Sequence, residues 1–291
     1  MRAFPLILCL LITASCKLTI PDTDKTLFSS IPDTTQIQTN RINYVTGMAD
    51  SRSQTNNFWL IQGEGTSNKL TMLGHNGLIK GELTIPRFPN RDWEDLAIGP
   101  GPESGTTYLY IGDIGDSTYS NDYYQIYRLP EPASVNSSIT QIERINFTYP
   151  DGAQTAKAML VDPETKDIFI IVNRNPNVKL YRLPYPQDIN TITVAEAFGE
   201  LPIGMDVTGA SISTDGQEVV VRNYTQAFYW KRSGHQTLDD LLRHTVFRMA
   251  PLASEPKGET ICFDQANRGY YTLSQKSMAS SSVNLYYFAK Q

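Results

Sequence analysis

The chain alternates between short apolar runs and polar turns, and the alternation itself repeats. Each repeat opens with an apolar stretch that ends in a turn, as in EDLAIGPG (94–101) and KAMLVDPET (157–165). A β-branched run such as IFIIV (168–172) follows, and then an aromatic and apolar alternation such as KLYRL (179–183). Apolar and polar residues that alternate with period two predict β-strands.

Five units of this kind start at residues 46, 94, 157, 208 and 259, which are 48, 63, 51 and 51 residues apart. A fourth strand-like run closes each of the first four units: GELTI (81–85), QIERINFTY (141–149), TITVAEAF (191–198) and HTVFRM (244–249). Repeats of about 40–50 residues with four strands are typical of propeller blades. The sequence therefore predicts an all-β fold, a five-bladed β-propeller, with six blades as the alternative. LDDLLRH (238–244) is predicted to be a short helix.

The two chain ends are predicted to complete one blade together. The fifth unit ends at Gln291 without a fourth run, and TQIQTNRINY (35–44) is strand-like and has no unit of its own. Pairing the two would close the ring and remove exposed sheet edges. We therefore assign residues 35–291 to the propeller domain.

The N-terminus predicts export and a membrane anchor. Residues 1–15 carry Arg2 and then an apolar run from Phe4 to Ile12, which is too short to span a bilayer. Cys16 follows small residues, and the stretch resembles the lipobox of bacterial lipoproteins. That resemblance implies acylation of Cys16, with plain secretion as the alternative. By the same resemblance, Lys17 after the cysteine implies the outer membrane. Residues 16–34 are rich in Thr, Ser, Asp and Pro and are predicted to be a tether.

Composition narrows the classes of function. The chain has 291 residues, of which 40% are hydrophobic, so it can form a large core. With 25 Lys and Arg against 30 Asp and Glu, the net charge is −5, which argues against nucleic-acid binding. Removal of Cys9 and acylation of Cys16 would leave only Cys262, so we expect no disulfide framework. His75 lies in a hairpin turn and His235 and His244 lie in a loop, so histidine-based catalysis or a zinc site at the mouth of the propeller channel is not expected.

The propeller predicts where polar residues meet. First strands start, and second strands end, on the same face around the channel mouth. When the first strands are aligned on their closing turns, Gly47 and Gly209 become equivalent to three charged residues, Glu94, Lys157 and Glu259. The alignment also makes Glu94 and Glu259 the ring neighbours of Lys157. The predicted mouth consists of Glu94, Asp95, Asp113, Asp116, Lys157, Arg222 and Glu259.

Two interpretations of the acidic residues stay open. Oxygen-rich clusters suit Ca²⁺, with Glu94, Asp113 and Glu259 as candidate ligands. Alternatively, Asp113 and Asp116 cap a turn through backbone N–H groups, and Glu94 pairs with Lys157. Lys157 places an ammonium between two carboxylates, which would weaken or replace a metal ion. Ca²⁺ is therefore the candidate cofactor, and we expect it to bind weakly or not at all.

The segments DWEDLAIGPG, LYIGDIGDS, VTGASISTDGQEVVVRNY and PKGETICFD resemble a group of bacterial secreted or lipid-anchored β-propellers of uncharacterised function. The group is distantly similar to phytase-like and NHL-type propellers, and the resemblance covers about residues 42–289. It implies the fold and the functional face, but no reaction. The chain departs from the group's pattern at IQGEG, Ser117, AKA (156–158) and Gln275, and most of these changes remove a carboxylate-type position.

We therefore expect an envelope-anchored binding or scaffolding module that acts through the mouth. The first alternative is a metal-dependent hydrolase of phosphoesters or glycans, with Asp113 or Glu94 as base and Lys157 and Arg222 facing an anionic group. The second alternative is a structural envelope protein without a ligand. The expected partners are the membrane, through the lipid, and a protein or a small anionic ligand. We expect a monomer.

Overall fold

The computed structural model describes residues 27–37, 41–174, 177–276 and 283–291. The predicted signal peptide (1–15) and the predicted lipidation site Cys16 lie outside these residues. The described part of the chain folds into strands with one short helix, α1 (Leu238–His244). In chain order the strands are β1 Asp33–Gln36, β2 Val45–Asp50, β3 Asn57–Gln62, β4 Lys69–Gly74, β5 Ile79–Thr84, β6 Trp93–Pro100, β7 Thr107–Asp113, β8 Tyr124–Pro130, β9 Glu143–Thr148, β10 Ala156–Val161, β11 Ile168–Arg174, β12 Asn177–Leu183, β13 Ile192–Val194, β14 Glu196–Leu201, β15 Val207–Ile212, β16 Glu218–Asn223, β17 Ala227–Lys231, β18 Arg248–Ala250, β19 Gly258–Phe263, β20 Gly269–Ser274 and β21 Asn284–Ala289.

The strands form five sheets arranged as the blades of a propeller, so the predicted five-bladed fold is confirmed. Blade 1 is β2–β5, blade 2 is β6–β9 with β13, and blade 3 is β10, β11, β12 and β14. Blade 4 is β15–β18, and blade 5 is β19–β21 with β1. The first strands β2, β6, β10, β15 and β19 pack against one another in a ring.

The ring closes as the sequence predicts, but with a shifted strand. β1 pairs antiparallel with β21, with Asp33 opposite Tyr287 and Gln36 opposite Asn284. The closing strand therefore begins before residue 35. Residues 41–44, which were expected to belong to it, are not in a strand. Ordered packing begins earlier still, because Phe28 is 1% exposed and lies against blades 4 and 5.

The core lies between blades. Period-two alternation gives each sheet two apolar faces, and five buried clusters fill the five spaces between neighbouring blades. The cluster between blades 3 and 4 also buries the apolar face of α1, which begins after its N-cap Thr237. The predicted helix is therefore confirmed. Within the described ranges, no helix has both the length and the apolar character needed to cross a membrane.

The run 191–198, which was predicted to be one outer strand, is divided between two blades. β13 pairs in parallel with β9 of blade 2, whereas β14 is the outer strand of blade 3. The division falls at Ala195, whose side chain is buried and whose N–H donates to the Thr148 carbonyl at 2.8 Å. Alternation in sequence does not specify which neighbouring sheet a strand joins, so this exchange was not predictable.

Candidate functional site

Every first strand carries an irregularity at the same place, one residue from its start. The register of each first strand with its second strand shifts between Val45 and Gly47 in blade 1 and at the corresponding positions in the other four. A bulge re-aims the side chain at the extra residue. The five bulge residues are Thr46, Glu94, Lys157, Thr208 and Glu259.

This register corrects the alignment that placed Gly47 and Gly209 beside the charged residues. Their equivalents at the bulge are Thr46 and Thr208, one position earlier. The Thr46 hydroxyl donates to the Trp93 carbonyl at 2.6 Å, and the Thr208 hydroxyl donates to the Gly258 carbonyl at 3.2 Å. A Cβ at Gly47 would lie 2.4 Å from the Leu96 nitrogen, so the inner strands approach closely here.

Glu94 and Lys157 form the centre of the mouth. The Lys157 ammonium lies 3.1 Å from each carboxylate oxygen of Glu94. Glu94 is buried, whereas about a quarter of the Lys157 side chain is exposed (24%). The predicted pairing of these two residues is therefore present, and Lys157 is the more exposed member of the pair.

Glu259 lies across the mouth and is not the ring neighbour of Lys157, because blade 4 with Thr208 stands between their blades. Its influence on Lys157 is electrostatic. The Glu259 side chain is buried and forms an ion pair with Lys257 at 3.3 Å. Lys257 in turn lies 5.6 Å from the centre of the Tyr44 ring.

Burial shifts the protonation of the acids at the mouth. Burial raises the pKa of Glu94 to about 8, although the Lys157 charge opposes the rise. Burial likewise raises the pKa of Asp92 to about 6, again against the pull of Lys157. The pKa of Glu259 is also raised by burial. Burial disfavours the charged form of Lys157, but Glu94 and Glu259 outweigh it and raise the pKa of the ammonium.

Asp113 ends β7 and Asp116 lies in the turn that follows, and the carboxylate oxygens of both accept hydrogen bonds from other residues of the protein. The two Asp113 oxygens accept from the Asp92 N–H at 2.8 Å, from Arg91 at 2.7 Å and from the Tyr127 hydroxyl at 3.1 Å. Asp116 accepts from the N–H groups of Ser120 and Asn121 and from the Tyr124 hydroxyl.

Burial opposes the charge of Asp116, but its hydrogen bonds outweigh burial and hold its pKa below the ordinary value. Both side chains therefore have the partners that the turn-capping interpretation requires.

Asp95 and Arg222, which were expected at the mouth, lie between blades. The Asp95 carboxylate accepts from the Met159 N–H of blade 3 at 2.6 Å and from its neighbour Leu96 at 2.8 Å. Arg222 is fully buried, pairs with Glu255 at 2.7 Å and donates to the Thr260 carbonyl at 3.2 Å. These two residues connect blade 2 to blade 3 and blade 4 to blade 5.

The mouth does not fit the calcium ion that the sequence suggested. Calcium needs several free oxygen ligands. Asp113 is occupied by its three donors, and the Lys157 ammonium holds both oxygens of Glu94. Among the residues that the structure describes, no group of three or more His, Cys, Asp or Glu side chains is arranged to hold a metal ion.

The structure adds four residues to this site that the predicted set omitted, and the first of them is Asp92. Tyr44 and Tyr224 lie at the rim, and their pKa values are raised first by burial and then by the same acids, Glu94 and Glu259. Lys257 joins them through Glu259. Tyr44 and Lys257 come just before the first strands of blades 1 and 5, so their positions relative to those strands could have indicated them.

The comparisons support the fold and no more than the fold. No family model and no curated protein matches the chain. Among solved structures, the chain is similar to XC5397 from Xanthomonas campestris, a gluconolactonase. The TM-score is 0.50 and the identity 11%, over 84% of this chain and 72% of that chain.

Two further solved structures are similar at lower scores. Hydrazine synthase from Kuenenia stuttgartiensis has a TM-score of 0.44 and 8% identity, over 81% of this chain and 94% of that chain. The Dos1 propeller has a TM-score of 0.38 and 13% identity, over 84% and 68%. At sequence identities of 8–13%, these similarities carry no function.

Proposed function

We propose that the protein is a binding module whose mouth face docks a polypeptide segment carrying a lysine or arginine side chain. The observation that carries the proposal is the buried Glu94–Lys157–Glu259 group at the bulge positions. In blades 1 and 4 the bulge position is a threonine, whose hydroxyl donates a hydrogen bond to a backbone carbonyl. The fold therefore does not require charged residues at this position. Because burying charged groups is unfavourable, we infer that the charged residues here serve to bind a ligand.

The charge balance of the mouth favours a basic ligand group. Burial raises the pKa of the three acids of the mouth, Asp92, Glu94 and Glu259, but when ionised these acids outnumber the two bases, Lys157 and Lys257. Of the two ligand classes expected from the sequence, a small anion would oppose the ionisation of these acids, whereas a basic side chain would favour their ionised form.

Exposed apolar side chains on the same face favour a polypeptide over a small molecule. Tyr119, Met205 and Tyr224 are 53%, 38% and 38% exposed, and all three lie in loops at the mouth end of the blades. Tyr and Met are enriched in protein interfaces.

The hydrolase alternative has less support from the geometry. Its expected groups Asp113 and Arg222 are held by other residues of the fold. Both oxygens of Glu94, the other candidate base, are held by the Lys157 ammonium at 3.1 Å. We also propose that a lipid on Cys16 anchors the module at the bacterial envelope, as the sequence suggests.

A phage-displayed library of random linear peptides tests the proposal. Selection on the folded protein should enrich peptides with lysine or arginine. Calorimetry with the selected peptides should show at least about a tenfold loss of affinity, about 1.4 kcal/mol, in Glu259→Gln. Glu103→Gln, an exposed acid in a turn on the opposite face, is the matched control.

Proton release gives a second readout. A basic side chain favours ionised Glu94, so binding should release a proton and tighten as pH rises towards about 8. Selected peptides that bind Glu259→Gln as tightly as wild type, or that lack basic residues, would overturn the proposal. In that case a structural role without a ligand becomes the better account.

A further inference from the structure

A second polar cluster lies on the opposite face of the ring, at the seam between the first and last blades. Asp50 ends β2, His75 follows β4, and Tyr271 lies near the start of β20. His75 Nε2 is 2.7 Å from Asp50 Oδ1, and His75 Nδ1 is 3.0 Å from the Tyr271 oxygen. The imidazole stacks on Phe58, with ring centres 4.3 Å apart. The three polar groups therefore form a continuous hydrogen-bonded chain with a positioned imidazole.

The partners determine the direction of the hydrogen bonds. The Asp50 carboxylate accepts on both sides, because its other oxygen takes the Gln265 N–H at 2.8 Å. Nε2 of His75 must therefore carry the proton that faces Asp50. In the neutral imidazole Nδ1 is then the acceptor, and the Tyr271 hydroxyl donates to it. The oxygen lone pairs of Tyr271 remain for a ligand.

The hydrogen-bonded group of Asp50, His75 and Tyr271 lines a cleft of about 390 Å³. Tyr271 and Tyr287 form an aromatic wall with ring centres 4.4 Å apart, and Arg268 lies exposed at the rim. Lys290 also lines the cleft, but its ammonium is held by Glu218 and by the Asn267 carbonyl. Arg268 is therefore the cation best placed to meet an anionic ligand.

We propose that this seam cleft is a general-base site for a small carboxylate whose C–H bond is acidified by an adjacent carbonyl, as in 2-oxo acids. The substrate C–H bond breaks and its proton bonds to the Tyr271 oxygen. The hydroxyl proton of Tyr271 passes to Nδ1 of His75, and Asp50 stabilises the imidazolium. The electron pair left on the substrate carbon forms an enolate that faces Arg268, and return of a proton along the same path regenerates substrate and site.

The roles within the relay differ. Tyr271 is the residue that touches the substrate, while His75 and Asp50 are positioning residues that act through it. Burial, with the Asp50 charge, raises the pKa of Tyr271, so the hydroxyl gives up its proton only in step with gaining another. If these contacts only joined blades 1 and 5, removing the hydroxyl would change stability and nothing else.

The test is proton exchange on pyruvate in D₂O, followed by loss of its methyl signal in proton NMR. We expect wild type to exchange at least about tenfold faster than Tyr271→Phe, a difference of about 1.4 kcal/mol in the barrier. Arg268→Ser should also slow the exchange. Tyr286→Phe, which removes a hydroxyl from the neighbouring strand outside the cleft, should behave as wild type.

The acid side of the pH profile tests His75. Exchange should fall when Nδ1 becomes protonated, because it then cannot accept from Tyr271. The titratable and charged groups that face this imidazole and its cleft are Asp50, Asp264, Arg268, Tyr271, Tyr287 and Lys290. With both proteins shown to be folded by their melting curves, equal exchange by wild type and Tyr271→Phe would overturn the proposal. A profile without the acid limb would also overturn the relay.

Discussion

Replacing Glu94 by glutamine tests whether burial or the Lys157 ammonium controls this carboxyl group. Glu94 is 6% exposed, and burial raises its pKa to about 8 in spite of the nearby positive charge. Glutamine preserves the size and hydrogen-bonding capacity of the side chain but cannot ionise. The two proteins should therefore differ in the pH dependence of their stability.

The direction of this pH dependence follows from whether the folded or the unfolded protein holds the proton of Glu94 more tightly. In the unfolded chain Glu94 ionises around its ordinary pKa of 4.5, whereas the folded protein holds the proton up to about 8. Unfolding releases a proton between these values, so the contribution of Glu94 to stability is complete below 4.5 and is lost as pH rises through 8. The free energy of unfolding of wild type should fall relative to the variant by up to about 1.4 kcal/mol per pH unit, or about 5 kcal/mol in all.

Urea unfolding followed by tryptophan fluorescence from about pH 5 to about pH 8 measures this difference. The three tryptophans, Trp59, Trp93 and Trp230, are fully buried and will report unfolding. Glu103→Gln, an exposed acid-to-amide change, is the control. If wild type instead gains stability over Glu94→Gln as pH rises, the ammonium keeps the carboxylate ionised and the burial argument is refuted.

Four further predictions concern the mouth, the seams and the anchor. In Lys157→Glu, Ca²⁺ should raise the melting temperature, because a third carboxylate replaces the ammonium between Glu94 and Glu259. Gly258→Ala should lose about 1–3 kcal/mol, because the new Cβ would lie 1.7 Å from Nη2 of the buried Arg222. Phe28→Ala should lose about 3–5 kcal/mol, since the ring packs edge-on to Tyr229 and Tyr270. Cys16→Ala should move the protein from the membrane pellet to the soluble fraction.

Matched controls make each of these predictions refutable. Equal calcium shifts in wild type and Lys157→Glu would contradict the first. Gly204→Ala, where the nearest atom would be 3.5 Å away, should be nearly neutral, and equal stability of the two alanine variants would contradict the second. Ile31→Ala, at a side chain that is 81% exposed, is the control for Phe28. Cys262→Ala should fractionate as wild type, and the anchor is refuted if Cys16→Ala does so too.

Much of the architecture follows from local sequence. Five units with period-two alternation and turns between them determine the strands, and the missing fourth run of the last unit requires a strand from the other chain end. The pairing of Glu94 with Lys157 was also predictable, because both residues stand at the start of first strands in neighbouring units. These properties depend on periodicity and order along the chain, which the sequence contains directly.

The contacts between blades depend on three-dimensional packing. Strand positions alone placed Asp95 and Arg222 at the mouth, but the bulge aims Glu94 at the axis, and Asp95 contacts the backbone of blade 3. His75, in a hairpin turn, gains its partners Asp50 and Tyr271 only when the first and last blades meet. A one-residue change in register reverses the direction of a strand side chain. The closed ring determines this register, because only the packing of the ring sets the distance between blades. It also determines the contacts between residues that lie nearly two hundred positions apart in the sequence.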